Sequence, residues 1–164
     1  MSRREDVDNA IWGDPDFLHL SAPGRFLYLW SFTNPLCNMA GVYKVGQRTM
    51  AFDTGLTSSQ VAKGFRELRE FAFWVYHDPY LWVRSRVKHL RTRTEPMARS
   101  IHNVVEPIDP CHPIRQKFLS TYGDDPWLRS ALAPLAEETR SAKPKVEYLN
   151  EVSERFQGKG KGYG

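Results

Sequence analysis

The chain has 164 residues, of which 41% are hydrophobic and 26% charged, and its formal net charge is +4. This length fits one domain with an extension, and the apolar content supports a packed core, which argues against wholesale disorder. With 2 cysteines, no apolar run of membrane-spanning length and no signal-peptide pattern, we expect a cytoplasmic protein without a disulfide framework or a membrane partner.

The first predicted helix begins after Ser21, because a serine at this position can cap the free amides of a helix N-terminus. The helix is apolar on nearly every side and ends at Pro35, so we expect it to be central and buried. A short strand is predicted over 41–45. A second helix is predicted over 47–54, and Gly55 supplies the left-handed residue that often follows a helix.

The third predicted helix starts at a capping box, in which Thr57 lies three residues before Gln60, and runs to about Glu70. One face of this helix is apolar by its spacing. Another face carries Ser59, Lys63 and Arg66, spaced by four and three residues, and the polar Gln60 lies in the same N-terminal half of the helix. Gly64 inside the helix either admits the close approach of another backbone or is simply tolerated, at about 1 kcal/mol relative to alanine.

Two β-rich runs, 73–76 and 81–87, flank a four-residue loop with the turn-forming pair Asp78-Pro79, which predicts a β-hairpin. Side chains alternate between the two faces of a strand. One face of the second run would then carry an indole and three cations: Trp82, Arg84, Arg86 and Lys88. Such an arranged basic surface is typical of nucleic-acid binding.

The net charge is distributed unevenly along the chain. Residues 44–99 hold 11 lysines and arginines against 5 aspartates and glutamates, a local excess of six positive charges. Arg91 and Arg93 extend the basic run beyond the hairpin. A basic cluster by itself is often only a solvated surface. The alternation of side chains along the second run of the hairpin is what favours nucleic-acid binding here.

The remainder of the chain has a helical pattern. Apolar stripes predict three helices, around 97–105, 114–122 and 128–135. Residues 139–156 are charged with a thin apolar stripe, which indicates a marginal helix that packs on the core rather than recruiting a partner. The glycine- and lysine-rich end over 158–164 is expected to be flexible.

The order helix, strand, helix, tight turn, capped helix and hairpin is that of a winged helix-turn-helix. We therefore predict an α+β, mostly helical chain. Its predicted parts are a flexible N-terminus at 1–9, a winged helix-turn-helix domain with a β-hairpin wing at 10–90, a small helical extension at 91–139, and a charged tail at 140–164 that is partly helical and then disordered. The predicted DNA-binding residues are Ser59, Gln60, Lys63, Arg66, Trp82, Arg84, Arg86, Lys88, Arg91 and Arg93.

Several short motifs carry a resemblance to a known family. The segment Ile11-Trp12-Gly13-Asp14-Pro15-Asp16-Phe17, followed by Leu20-Ser21, is similar to the opening of phage replication-initiation proteins. The segments Gly41-Val42-Tyr43 and Asp53-Thr54-Gly55-Leu56-Thr57 are similar to their first strand and helix-turn-helix. Over residues 10–90 the chain thus resembles the phage replisome-organiser and DnaD-like replication-initiation proteins. Where such families often have a glycine followed by a hydrophobic residue after the recognition helix, this chain has Phe71-Ala72-Phe73-Trp74.

This resemblance implies binding of double-stranded DNA in replication initiation or gene regulation, in the host cytoplasm if the chain is phage-encoded. An alternative is a protein-interaction adaptor that engages a helicase, polymerase or recombinase, with the basic stripe meeting an acidic partner. Cys37, His102 and the pair Cys111-His112 lack the spacing of a zinc site, and no glycine-rich phosphate loop occurs. We therefore expect no metal, no cofactor and no enzymatic activity.

Overall fold

The computed structural model describes residue 7 and residues 9–142. The chain divides into two compact units, one up to Pro107 and one from Ile108 onward. This division comes later in the chain than the predicted boundary at residue 90, because the helix that follows the hairpin is grouped with the first unit. The predictions for the C-terminal tail over 143–164 lie outside the described residues.

The first unit is α+β and mainly helical. A short 3-10 helix (Asn9–Gly13) precedes α1 (Pro15–His19), α2 (Ala22–Thr33), β1 (Val42–Lys44), α3 (Gln47–Thr54), α4 (Ser58–Glu70), β2 (Trp74–His77), β3 (Tyr80–Val83), a second 3-10 helix (Val87–His89) and α5 (Glu95–Val105). The second unit contains α6 (Pro113–Tyr122) and α7 (Arg129–Ser141). Each helix predicted from the sequence up to residue 135 is confirmed, although α1 was missed.

Helix boundaries follow the local capping signals. The backbone N–H of Gly24 donates to the Ser21 hydroxyl at the start of α2, as predicted. Thr57 and Gln60 form the predicted capping box of α4. Gly55 ends α3 with a φ of 68°, which is the left-handed conformation expected there.

The sheet has three antiparallel strands in the order β1-β3-β2. The predicted hairpin is confirmed, but its connection is only Asp78-Pro79 and its second strand ends at Val83 rather than at residue 87. One face of the sheet joins a core with the buried side of α2 and α4. Large members of this core are Leu27, Trp30, Phe65, Trp74 and Leu81. The predicted central position of α2 is confirmed, with Phe26 half-exposed as an exception.

Helices α2 and α4 cross at a pair of glycines. A Cβ atom built on Gly64 would lie 2.8 Å from Cδ1 of Leu27 and 3.0 Å from Cα of Gly24. The distance to Cα of Gly24 is tighter than nine in ten real Cβ contacts, and this neighbour is backbone. Gly64 therefore admits the backbone of α2, which is the first of the two roles that the sequence left open.

Ala72 follows α4 in a conformation that favours glycine. Its φ is 55°, and its N–H donates to the carbonyl of Arg69 at 3.1 Å. The left-handed conformation costs an L-residue roughly 1–2 kcal/mol, so Ala72 holds local backbone strain.

We expect Ala72→Gly to stabilise the protein by about 0.5 to 1 kcal/mol, because relief of this strain exceeds the extra entropy of a glycine in the unfolded chain. Urea unfolding measures the effect. Ala62→Gly, inside α4, is the matched control and should destabilise by about 1 kcal/mol. Equal destabilisation by both variants would contradict the assignment of strain to Ala72.

Candidate nucleic-acid interface

Helix α4 separates its apolar and polar side chains onto opposite faces. Val61, Phe65 and Leu68 are buried in the core. The four predicted contact residues of this helix are all exposed: Ser59, Gln60, Lys63 and Arg66. Ser59, Lys63 and Arg66 are spaced by four and three residues, which places them along one side of the helix. Glu70 continues the same side, so the exposed face is cationic with one carboxylate at its end.

Glu67 fixes α4 against the N-terminus of α2. The backbone N–H of Ser21 donates to Oε2 of Glu67 at 3.0 Å, and the Ser21 hydroxyl donates to the same oxygen at 2.7 Å. A carboxylate is favourable at a helix N-terminus because the free amides carry partial positive charge. Nζ of Lys63 lies 3.9 Å from Oε1 of Glu67, a loose pair that leaves the ammonium group largely exposed.

The capping box orients the first turn of α4. Oε1 of Gln60 accepts from the backbone N–H of Thr57 at 2.9 Å and from the Thr57 hydroxyl at 3.1 Å. Oγ of Ser59 lies 3.1 Å from the same hydroxyl. The amide oxygen of Gln60 is thus used by the capping box. Ser59, Lys63 and Arg66 are the side chains best placed to contact an external ligand.

The prediction of an exposed basic strand face is wrong for Trp82 and Arg86, which are 1% and 5% exposed. Trp82 lies on β3 between its partners Val42 and Val75, on a sheet face that is also covered. The strand stops at Val83, so alternation no longer governs the residues after it. Nε of Arg86 donates to the carbonyl of Asn38 at 3.2 Å, which makes Arg86 part of the structural frame.

Arg84 and Lys88 are exposed, but they do not form a strand face. A guanidinium nitrogen of Arg84 donates to the carbonyl of Ala72 at 3.3 Å, so Arg84 lies beside the end of α4. Lys88 lies on the second 3-10 helix. Arg91 and Arg93 are exposed in the segment that follows. The basic block therefore belongs to several different elements.

The hairpin turn has a mixed charge. Nζ of Lys44 lies 5.3 Å from the centre of the Tyr80 ring, to which it is brought by the β1–β3 register. The Tyr76 hydroxyl donates to Asp78 at 2.9 Å, and burial together with this carboxylate raises the pKa of Tyr76 to about 12. Only strand pairing places Lys44 near the turn, so no local sequence pattern predicts its position there.

Among the described residues there is no group of three or more histidine, cysteine, aspartate or glutamate side chains that could hold a metal ion. Nδ1 of His112 accepts from the backbone N–H of Ile114 at 3.2 Å and so caps α6. Within the same residues, no helix is long and apolar enough to cross a membrane.

Comparison of the chain with protein-family models, with curated proteins and with solved structures found no match.

Proposed function

We propose that the chain binds double-stranded DNA through a winged helix-turn-helix, with α4 as the recognition helix and the β2–β3 hairpin as the wing. One observation carries the proposal. Helix α4 is anchored by its buried face, and it presents Ser59, Lys63 and Arg66 together on the opposite, exposed face. An α-helix fits the major groove, where hydroxyl and cationic side chains can bond to base edges.

The elements before α4 support this assignment. Helix α3 is joined to α4 by the short segment 55–57, and both helices contact α2. The capping box fixes the start of α4, whose amide-rich N-terminus favours an anion such as a backbone phosphate. Binding would then use a preformed helix and require little ordering of the protein.

Flanking cations would add affinity with little sequence information. Lys44 at the hairpin turn and Arg84 beside the end of α4 are exposed and can reach phosphates next to the groove. Phosphate contacts fix the register of a protein on DNA, whereas base contacts give specificity. The motifs that resemble those of phage replisome-organiser and DnaD-like proteins favour replication initiation or gene regulation in a host cytoplasm as the process.

The test is the affinity of the full chain for duplex DNA. Fluorescein-labelled duplexes selected from a random pool are titrated with protein, and binding is followed by fluorescence anisotropy. We expect the double variant Lys63→Gln, Arg66→Gln to bind at least about tenfold more weakly, because each lost contact costs about 1–3 kcal/mol if it reaches a base edge.

Lys117→Gln is the matched control, since Lys117 is an exposed lysine on α6 in the second unit. It should leave the affinity unchanged. Equal affinities for the wild type and the double variant would remove α4 from the interface and overturn the proposal.

A protein-interaction adaptor is the second candidate, and Phe52 is the observation that favours it. This residue of α3 is 88% exposed, and phenylalanines are enriched at protein interfaces. A helicase, polymerase or recombinase that is retained after nuclease treatment, and lost with Phe52→Ser, would favour the adaptor. Loss of the partner on nuclease treatment would point back to DNA.

A further inference from the structure

The solvent side of α2 is formed by uncharged residues. Four of them follow one another along the helix at spacings of four, three and four, which places them on one side of it. They are Ala22, Phe26, Leu29 and Thr33, and we call this side the outer face of α2. Phe26 is 47% exposed, and Leu29 is half-buried. A helix that is apolar all round is normally buried on every side, so the outer face of α2 is a surface that favours a partner.

The polar groups on and beside the outer face are satisfied within the chain. The Thr33 hydroxyl donates to the carbonyl of Leu29 at 3.1 Å. Arg25 is the one charged residue of α2, and its guanidinium donates to the carbonyls of Leu20 at 3.0 Å and of Leu18. The outer face therefore offers a partner apolar surface rather than free charges.

Exposed apolar side chains are concentrated in the first unit. Among the described residues, the large hydrophobic side chains that are exposed all belong to it: Val7, Trp12, Leu18, Phe26, Leu36 and Phe52. Leu18 precedes α2 in the sequence and Leu36 follows it. The described part of the second unit has no exposed large hydrophobic side chain that could match the outer face. A second copy of the first unit supplies the apolar surface that the described second unit lacks.

We propose that two copies of the chain form a two-fold dimer in which the outer faces of α2 pack against each other. A two-fold axis brings the same surface of both copies together, and an uncharged surface meets its own copy without like-charge repulsion. Homodimer interfaces are more apolar than other protein surfaces, and their centres are depleted of charged residues. The 12 residues of α2 span about 18 Å, so three turns of each helix are available for packing. The inference concerns α2 and does not rest on duplex binding by α4.

The dimer would also pair the proposed recognition helices. Because α4 crosses α2 at Gly24 and Gly64, the same two-fold axis relates the two copies of α4. Dimeric helix-turn-helix proteins contact two half-sites whose symmetry mirrors that of the protein. This consequence, unlike the dimer itself, rests on the proposed function.

Analytical ultracentrifugation of the full chain, freed of nucleic acid by nuclease treatment, tests the proposal. We expect a reversible change from one copy to two copies as the protein concentration rises from about 1 μM to 1 mM. A single copy at every concentration would overturn the proposal. The outer face would then be left to a segment of the same chain or to a different protein.

Phe26→Lys places a charge on the outer face of both copies and should raise the dimer dissociation constant at least about a hundredfold, because two phenyl rings lose their burial. Thr33→Lys adds a charge at an exposed position of the same face and should also weaken the dimer. It carries the test if circular dichroism shows that Phe26→Lys is unfolded.

Phe52→Lys is the matched control, because it makes the same substitution at the exposed phenylalanine of α3. It should leave the dissociation constant unchanged. Equal weakening by the Phe26 and Phe52 variants would overturn the assignment to α2, as would unchanged dimerisation of a folded Phe26→Lys variant. Neither result bears on the affinity of α4 for duplex DNA.

Discussion

Gly64→Leu is expected to lower the free energy of unfolding by about 3 kcal/mol, at the upper end of the usual cost of overpacking. The reason is the crossing of α2 and α4. The first side-chain carbon would already lie 3.0 Å from Cα and 3.1 Å from N of Gly24. Backbone atoms cannot move aside as a flexible side chain can, so the two helices must separate and expose part of the core.

Urea unfolding followed by circular dichroism measures this loss. Arg66→Leu is the matched control, because it places the same side chain on the exposed face of the same helix. Surface substitutions of this kind usually change stability by less than about 0.5 kcal/mol. If the two leucine variants unfold at the same urea concentration, then α2 and α4 do not cross at Gly64.

Arg115→Met is expected to lower the stability of the second unit by about 3 kcal/mol. Arg115 is 1% exposed, and its guanidinium donates to the carbonyls of Ile108 at 2.7 Å and Leu135 at 3.4 Å. It also donates to the carboxylate of Glu138. Methionine fills similar space but cannot donate, so two carbonyls would lose this hydrogen-bond donor: that of Ile108 in the segment before α6 and that of Leu135 on α7.

Hydrogen exchange of the α6 and α7 amides measures this effect. Glu138→Gln is the control, since the Glu138 side chain is 57% exposed and regains water when the ion pair is lost. We expect a smaller loss of protection from Glu138→Gln, because the glutamine side chain keeps an amide oxygen that can accept from the Arg115 guanidinium. Comparable loss of protection in both variants would show that the ion pair, and not the hydrogen bonds to the two carbonyls, stabilises the second unit.

The helices of the first unit could be predicted because their signals are local. Ser21, Thr57 and Gln60 act on amides within three residues, and Gly55 acts on the turn that it ends. The exposed face of α4 follows from helical spacing in the same way. Ala72 departs from the local rule, because a left-handed position after a helix is usually filled by glycine.

The errors in the predicted site come from interactions that are distant in sequence. The guanidinium of the buried Arg86 donates to the carbonyl of Asn38, 48 residues away in the sequence. No local sequence pattern predicts that hydrogen bond. Trp82 is buried because both faces of its strand are covered, whereas alternation assumed one solvated face.

The salt dependence of duplex binding by the full chain tests the central claim most directly. The logarithm of the association constant falls linearly with the logarithm of salt concentration, with a slope of about −0.9 for each phosphate contact. If Lys63 and Arg66 of α4 lie against DNA and each neutralises a phosphate, Lys63→Gln, Arg66→Gln should make the slope shallower by about 1.8, while Lys117→Gln should leave it unchanged. An unchanged slope together with an unchanged affinity for the double variant would contradict binding through α4.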